Sequence, residues 1–134
     1  MSSQPAPSDP ISILVAEDED TVREALCLHL RASGYEVYEA IDGEEALALA
    51  QSVLPRLAIL DITMPKMNGW EVARRLRKAS ETSAIKLLML SGIGHDVLSA
   101  GLPVLGGDLG LDKPYELDEL EEAMESLLAN SKPG

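Results

Sequence analysis

The sequence predicts an α/β fold with a doubly wound parallel sheet, and three observations lead there. Short runs rich in Leu, Ile, Val and Ala recur without polar alternation, as strands buried on both faces require. Segments of helical periodicity separate them, so that each strand can return parallel to its neighbour through a right-handed crossover. The runs also end on polar groups, with Glu17 and Asp18 after the first, Asp61 after the third, Ser91 after the fourth and Lys113 after the fifth. A chain of 134 residues, 46% hydrophobic and 25% charged, fits one globular domain of ordinary size.

The elements follow in order. Residues 1–10 hold Pro5, Pro7 and Pro10 among Ser, Gln and Ala; they bury too little apolar surface to offset ordering entropy and are expected to form a disordered tail. ISILVA, from Ile11, is the first strand and stops at four consecutive acids, Glu17 to Asp20. Thr21 to Ala32 forms a helix with Val22, Ala25, Leu26, His29 and Leu30 on one face, Asp20 as N-cap and Gly34 past the end. YEVYEA is the second strand, GEEALALAQ a helix after the Asp42-Gly43 turn, and LAILD the third strand. Pro65 and Asn68-Gly69 mark a loop, after which Trp70 to Ala79 is helical with Val72, Ala73 and Leu76 inward. IKLLML is the fourth strand. Gly92, Gly94, Gly101, Pro103, Gly106 and Gly107 then leave room only for a short, weakened fourth helix around His95 to Ala100. A fifth strand is expected at Asp108 to Leu111. The last helix, Glu116 to Ala129, turns Leu117, Leu120, Met124, Leu127 and Leu128 inward and Asp118, Glu119, Glu122 and Glu125 outward. The folded domain is thus expected over 11–129, with 130–134 a second disordered tail.

Composition narrows the function. Lys and Arg total 11 against 23 Asp and Glu, a formal net charge of -12, which disfavours direct binding to nucleic acid or anionic lipid. No apolar run approaches the roughly 18 residues of a membrane span. MSSQPAPSDP lacks the basic start and apolar run of a secretory signal, and the single Cys27 can form no intrachain disulfide, so a cytoplasmic protein is expected.

In doubly wound sheets, chemistry gathers outside the carboxyl ends of the strands. Three carboxylates brought there from Glu17, Asp18 and Asp61 repel one another unless a cation or a shared proton joins them. With no His or Cys at ligand spacing, that donor set favours Mg²⁺. Asp61, closing an apolar strand, is then a candidate nucleophile able to accept a phosphoryl group as an acyl phosphate. Lys113 and Ser91 offer the compact positive charge and the hydroxyl donor that phosphoryl oxygens need.

LVAED, LAILDITMPKMNG, LLMLSG and DKPY stand in the order and spacing of one family's motifs. The chain resembles the receiver domain of bacterial two-component response regulators over about Ile11 to Ala129. The resemblance implies a flavodoxin-like strand order 2-1-3-4-5. It implies that Asp61 takes a phosphoryl group from the phosphohistidine of a histidine kinase or histidine phosphotransfer protein. By the same carry-over, Asp18, Asp61 and the Thr63 carbonyl bind Mg²⁺, with Glu17 acting partly through water. Ser91 binds a phosphoryl oxygen, and Lys113 pairs with the phosphoryl group, aimed by a Lys113-Pro114 bond that is usually cis in this family. Such a domain is not an enzyme in the ordinary sense, since it promotes only its own phosphorylation and dephosphorylation. Its output is altered binding to a downstream protein, which the sequence does not name. A stand-alone regulator is expected.

Two departures from the family pattern concern the output. Gly110 stands three residues before the lysine, where the family carries Tyr or Phe, and the helix between the fourth and fifth strands is unusually rich in Gly and Pro, so the segment from Gly92 to Gly107 is expected to change order on phosphorylation. Three other readings stay open: a phosphorylation-independent receiver-like interaction module, the receiver part of a longer regulator, and an aspartyl-phosphate phosphatase of the haloacid dehalogenase type. The last expects a second Asp where this chain has Thr63. Among the remaining residues, Glu19 and Asp20 are read as serving the helix N-terminus, His29 as a core or half-buried histidine, and His95 as a surface loop residue. Cys27 is read as pointing away from the apolar face. Arg74, Arg75, Arg77 and Lys78 are read as a solvated basic edge.

Overall fold

Each strand run pairs in parallel with its neighbours, and the sheet order is β2-β1-β3-β4-β5. In a computed structural model, which describes residues 10–92 and 106–129, the strands are β1 (Ser12–Ala16), β2 (Glu36–Ala40), β3 (Leu57–Asp61), β4 (Lys86–Ser91) and β5 (Leu109–Asp112). The described helices are α1 (Asp20–Ala32), α2 (Gly43–Val53), α3 (Gly69–Lys78) and α4 (Leu117–Ala129). The short helix expected at 95–100, His95, most of the segment expected to change order, and both expected tails apart from Pro10 lie outside the described residues. Among those described, no helix is long and apolar enough to cross a membrane.

Alternate side chains of the central strands leave on opposite faces, which explains why their runs are apolar throughout. Ile13, Val15, Leu57, Ile59, Leu88 and Leu90 pack with Leu26, Cys27 and Leu30 of α1 and with Leu120, Met124 and Leu127 of α4. Leu14, Ala16, Ala58, Leu60, Leu87 and Met89 pack on the other side with Ala46 and Ala50 of α2 and Val72, Ala73 and Leu76 of α3. The sheet is therefore doubly wound, with α1 and α4 on one face and α2 and α3 on the other.

Three details of the helices depart from expectation. The N-cap of α1 is Glu19, without a side-chain cap bond; Asp20 is already helical and spends its carboxylate on Arg23, three residues on. The buried face of α1 is Arg23, Leu26, Cys27 and Leu30, rotated from the expected stripe. Cys27 thus faces the core at 0% exposure, and burial pushes its thiol up to about 11. Val22, Ala25 and His29 instead line an open groove with Tyr115 and Leu117, and that groove leaves Leu117 half-exposed rather than inward. His29 is half-buried, as expected, and pairs with Glu121 of α4 at 2.9 Å.

The basic edge of α3 is only in part a solvated face. Arg74 and Arg75 pair with Glu71 on their own helix. Arg77 instead donates to the carbonyls of Gly106 (2.9 Å), Ser83 (2.9 Å) and Ile85 (2.6 Å), and pairs with Asp108. Asp108 also accepts from the Leu87 amide at 2.8 Å. One guanidinium thereby ties α3 to the entries of β4 and β5, a task suited to its planar set of five donors.

Candidate functional site

The strand registers bring the polar run ends to one edge. Ala16 lies beside Leu60, Asp61 beside Leu90, and Ser91 beside Asp112, so the residues that follow β1, β3, β4 and β5 emerge together. Single ligand oxygens of Glu17, Asp18 and Asp61 all fall within 4.8 Å of one another. Glu17 is 1% exposed and Asp61 4%, whereas Asp18 is open to solvent. The Lys113 ammonium sits between the two buried acids, 2.9 Å from Glu17 Oε1 and 2.9 Å from Asp61 Oδ2.

That arrangement sets the charges. Burial pushes the Glu17 carboxyl above its ordinary value and the Asp61 charge adds to the rise, while the Lys113 hydrogen bond opposes it. Burial alone would lower the Lys113 ammonium, but its bonds to Glu17 and Asp61 outweigh that and hold it above the usual lysine value. Lys113 is in turn fixed by its backbone: the peptide bond to Pro114 is cis, and its amide donates to the Ser91 carbonyl at 2.7 Å. Ser91 takes the last position of β4 and is fully buried, one residue beyond the partner of Asp61.

Asp61 is held from its own loop as well, since the Thr63 amide donates to its Oδ1 at 3.0 Å. The carboxylate thus has a backbone donor on one oxygen and an ammonium on the other. Asn68 caps α3 by accepting from the Glu71 amide at 2.9 Å, and the Gly69 amide returns to the Ile62 carbonyl at 2.9 Å. A Cβ on Gly69 would lie 2.5 Å from the Asp61 carbonyl, so only glycine lets α3 begin this close to the strand end. Gly69→Ala is expected to cost about 1–3 kcal/mol through this overpacking and to shift the Asp61 loop. Chemical denaturation checks the cost; an unchanged midpoint would mean the backbone relaxes freely. On the other flank, Gly43 packs against the Met67 carbonyl, and Asp42 caps α2 while pairing with Lys66 at 3.6 Å.

The residues expected to form the site lie at this edge: Glu17, Asp18, Asp61 and Lys113 are drawn together, with Ser91 and Thr63 beside them. Two features were not anticipated. The lysine bridges two carboxylates, those of Glu17 and Asp61, and the Thr63 contact on Asp61 comes from its amide. Gly69 was read as a turn residue only, because the close approach it permits depends on where β3 ends.

The family model for the response regulator receiver domain matches residues 13–125. The chain belongs to that family. Response regulator MprA of Mycolicibacterium vanbaalenii is 40% identical over 127 residues, covering 92% of this chain and 53% of that protein. The chemotaxis protein CheY4 of Vibrio cholerae superposes with a TM-score of 0.84 at 29% identity, covering 90% of this chain and all of that one. The receiver domain of the Francisella response regulator 1452 gives 0.83 at 27% identity, covering 92% and 100%. The chain spans about half the length of the curated relatives it matches. It is a phosphoryl-accepting signalling domain of the two-component kind; receiver domains bind Mg²⁺ at an acidic pocket, and Glu17, Asp18 and Asp61 form an acidic cluster here.

Proposed function

We propose that Asp61 is the phosphoryl acceptor, and that a histidine kinase or histidine phosphotransfer protein is its donor. The observation that carries this reading is the Asp61 carboxylate, gripped by the Thr63 amide and the Lys113 ammonium inside a three-acid cluster. In the reaction an Asp61 oxygen attacks the phosphorus as the bond to the donor imidazole breaks. The bonding pair leaves on nitrogen, and an acyl phosphate remains on the chain. Lys113 then exchanges its contact with an Asp61 oxygen for one with a phosphoryl oxygen, and the Ser91 hydroxyl binds another. Only the phosphodonor, and the water that later cleaves the acyl phosphate, are consumed, so turnover is limited to the chain's own phosphorylation and dephosphorylation. The setting is the cytoplasm, and the output is altered binding to a downstream protein.

The donor set fits Mg²⁺: three carboxylates, with no nitrogen or sulfur ligand among the described residues, and one open acid that leaves room for water. Asp18 and Asp61, with the Thr63 carbonyl, would hold the ion directly, and Glu17, already engaged by Lys113, would act partly through water. When bound, the ion supplies charge neutralisation to the phosphoryl oxygens. Asp18→Asn is expected to weaken Mg²⁺ binding more than Glu17→Gln, because a direct ligand contributes more than a contact through water. A fluorescence titration using Trp70, at the start of α3, checks the order; equal losses would contradict the assigned roles.

The function itself is tested by incubating the chain with a small phosphodonor, with and without Mg²⁺. One phosphate per chain is expected with the ion and none after chelation. A chain that takes up no phosphate under either condition favours the phosphorylation-independent reading.

A further inference from the structure

Asp18 is the acid of the cluster whose placement has the least support of its own. Its carboxylate is exposed and takes no hydrogen bond or ion pair among the described residues. Its position must come from the backbone, and the backbone around it is tied at three points. The Glu17 amide donates to Ala40 of β2 at 3.1 Å, and the Glu19 amide donates to Glu17 Oε2 at 3.2 Å. The third tie is the Glu17 carbonyl, half of the peptide plane that leads into Asp18, and it is held by a side chain: Arg23 Nη1, at 2.9 Å.

Arg23 is 7% exposed, an unusual depth for a cation. Its other nitrogens are anchored outside the acid cluster, Nη2 on Asp20 at 2.7 Å and Nε on Glu39 of β2 at 3.2 Å. Glu39 is itself held by Arg31 at 2.9 Å. Two carboxylates therefore offset the charge of Arg23 and fix the plane of its guanidinium, leaving one edge aimed at the Glu17 carbonyl. A plain stabilising contact between α1 and β2 needs only the Glu39 pair. The bond to the carbonyl inside the acid turn is a further feature, and it needs the fork geometry that lysine lacks.

We propose that Arg23 is the positioning residue of the acid turn: by fixing the Glu17 carbonyl from within the fold, it sets the direction in which Asp18 presents its carboxylate to a divalent cation. This rests on the Mg²⁺-binding reading above. Groups that orient ligands without touching the ion commonly change affinity by about 10- to 100-fold when lost.

The test compares wild type, Arg23→Lys and Glu39→Gln by isothermal titration with Mg²⁺, alongside denaturant unfolding in its absence. Arg23→Lys keeps the charge and loses the fork, and about a tenfold weaker Mg²⁺ affinity is expected from a chain that still folds. Glu39→Gln removes one outer anchor, so a smaller loss is expected, and this variant carries the test if Arg23→Lys does not fold. The amide resonance of Asp18 in the ion-free protein should move in both variants while that of Thr63, on the other side of the cluster, stays in place. Lowered stability with unchanged affinity and an unmoved Asp18 resonance would make Arg23 a structural residue only and overturn the proposal. Absence of Mg²⁺ binding by wild type would instead overturn the reading of the site, and this proposal with it.

Discussion

Asp61→Asn is expected to reduce phosphate uptake to background while the chain stays folded. The amide oxygen can still accept from the Thr63 amide, now 3.0 Å from Asp61 Oδ1, and Lys113 keeps Glu17 as its partner. Lost are the nucleophilic oxygen and one of the cluster's negative charges. Mg²⁺ affinity should therefore fall by at least the roughly tenfold that accompanies loss of a group outside the ligand set. With one of two neighbouring buried acids neutral, the ion-free protein should be at least as stable as wild type. Intact-mass spectrometry after phosphodonor treatment, paired with thermal unfolding, reads both effects. Retained uptake would remove Asp61 from the reaction.

Lys113→Ala should separate two properties that wild type joins. Its ammonium is the counter-charge of two acids that are both nearly sealed from solvent, and removing one partner of a buried pair typically costs about 3–5 kcal/mol. The Lys113 side chain is 26% exposed, so roughly 2–3 kcal/mol is the better expectation. The cost should depend on pH in a definite direction. Burial already raises the Glu17 carboxyl, and the Lys113 bond is the first force opposing that rise, so the variant raises it further. A carboxyl raised in the folded state favours folding while protonated, and that benefit is lost as pH climbs through the raised value. The deficit against wild type should accordingly open as pH rises past the raised value that Glu17 already has in wild type. Added Mg²⁺ should close much of it, because the ion replaces the missing counter-charge. Phosphorylation should still occur, yet partner affinity should no longer respond. With Gly110 opposite Met89 in β5, no aromatic ring stands there to report the state of the site. The connection the structure offers is Lys113 itself, its ammonium on Asp61 and its amide on the Ser91 carbonyl. Partner affinity that still rises on phosphorylation in this variant would take Lys113 out of the switch.

What could be read in advance follows from which interactions are local. The strands announce themselves because β1, β3 and β4 are buried on both faces, and between their end residues they are wholly apolar. Asp42-Gly43 and Asn68-Gly69 are legible as turns ahead of α2 and α3; that Asp42 and Asn68 also cap those helices is seen only in the structure. The face of α1 was misread because a buried arginine breaks the hydrophobic count. Arg23 faces inward to meet the Glu17 carbonyl and Glu39, and the helix turns Cys27 into the core while Val22 and Ala25 stay in the groove. Of the partners of Arg23 only Asp20, three residues earlier, is legible from helical spacing; the Glu17 carbonyl and Glu39 are not. Arg77 illustrates the same limit, since three of its partners are backbone carbonyls that exist as acceptors only once β4 and β5 are laid side by side. The acids, Ser91 and the lysine were readable because each directly follows or closes a strand run, and parallel pairing brings such ends to one edge.

The most direct measurement of the central claim is peptide mapping of the chain after treatment with a small phosphodonor and Mg²⁺, with the acyl phosphate trapped before digestion. The account predicts label on the single peptide that carries Asp61, present with Mg²⁺ and lost after chelation. Label on a peptide carrying Glu17 and Asp18 instead, or on His29, would contradict it.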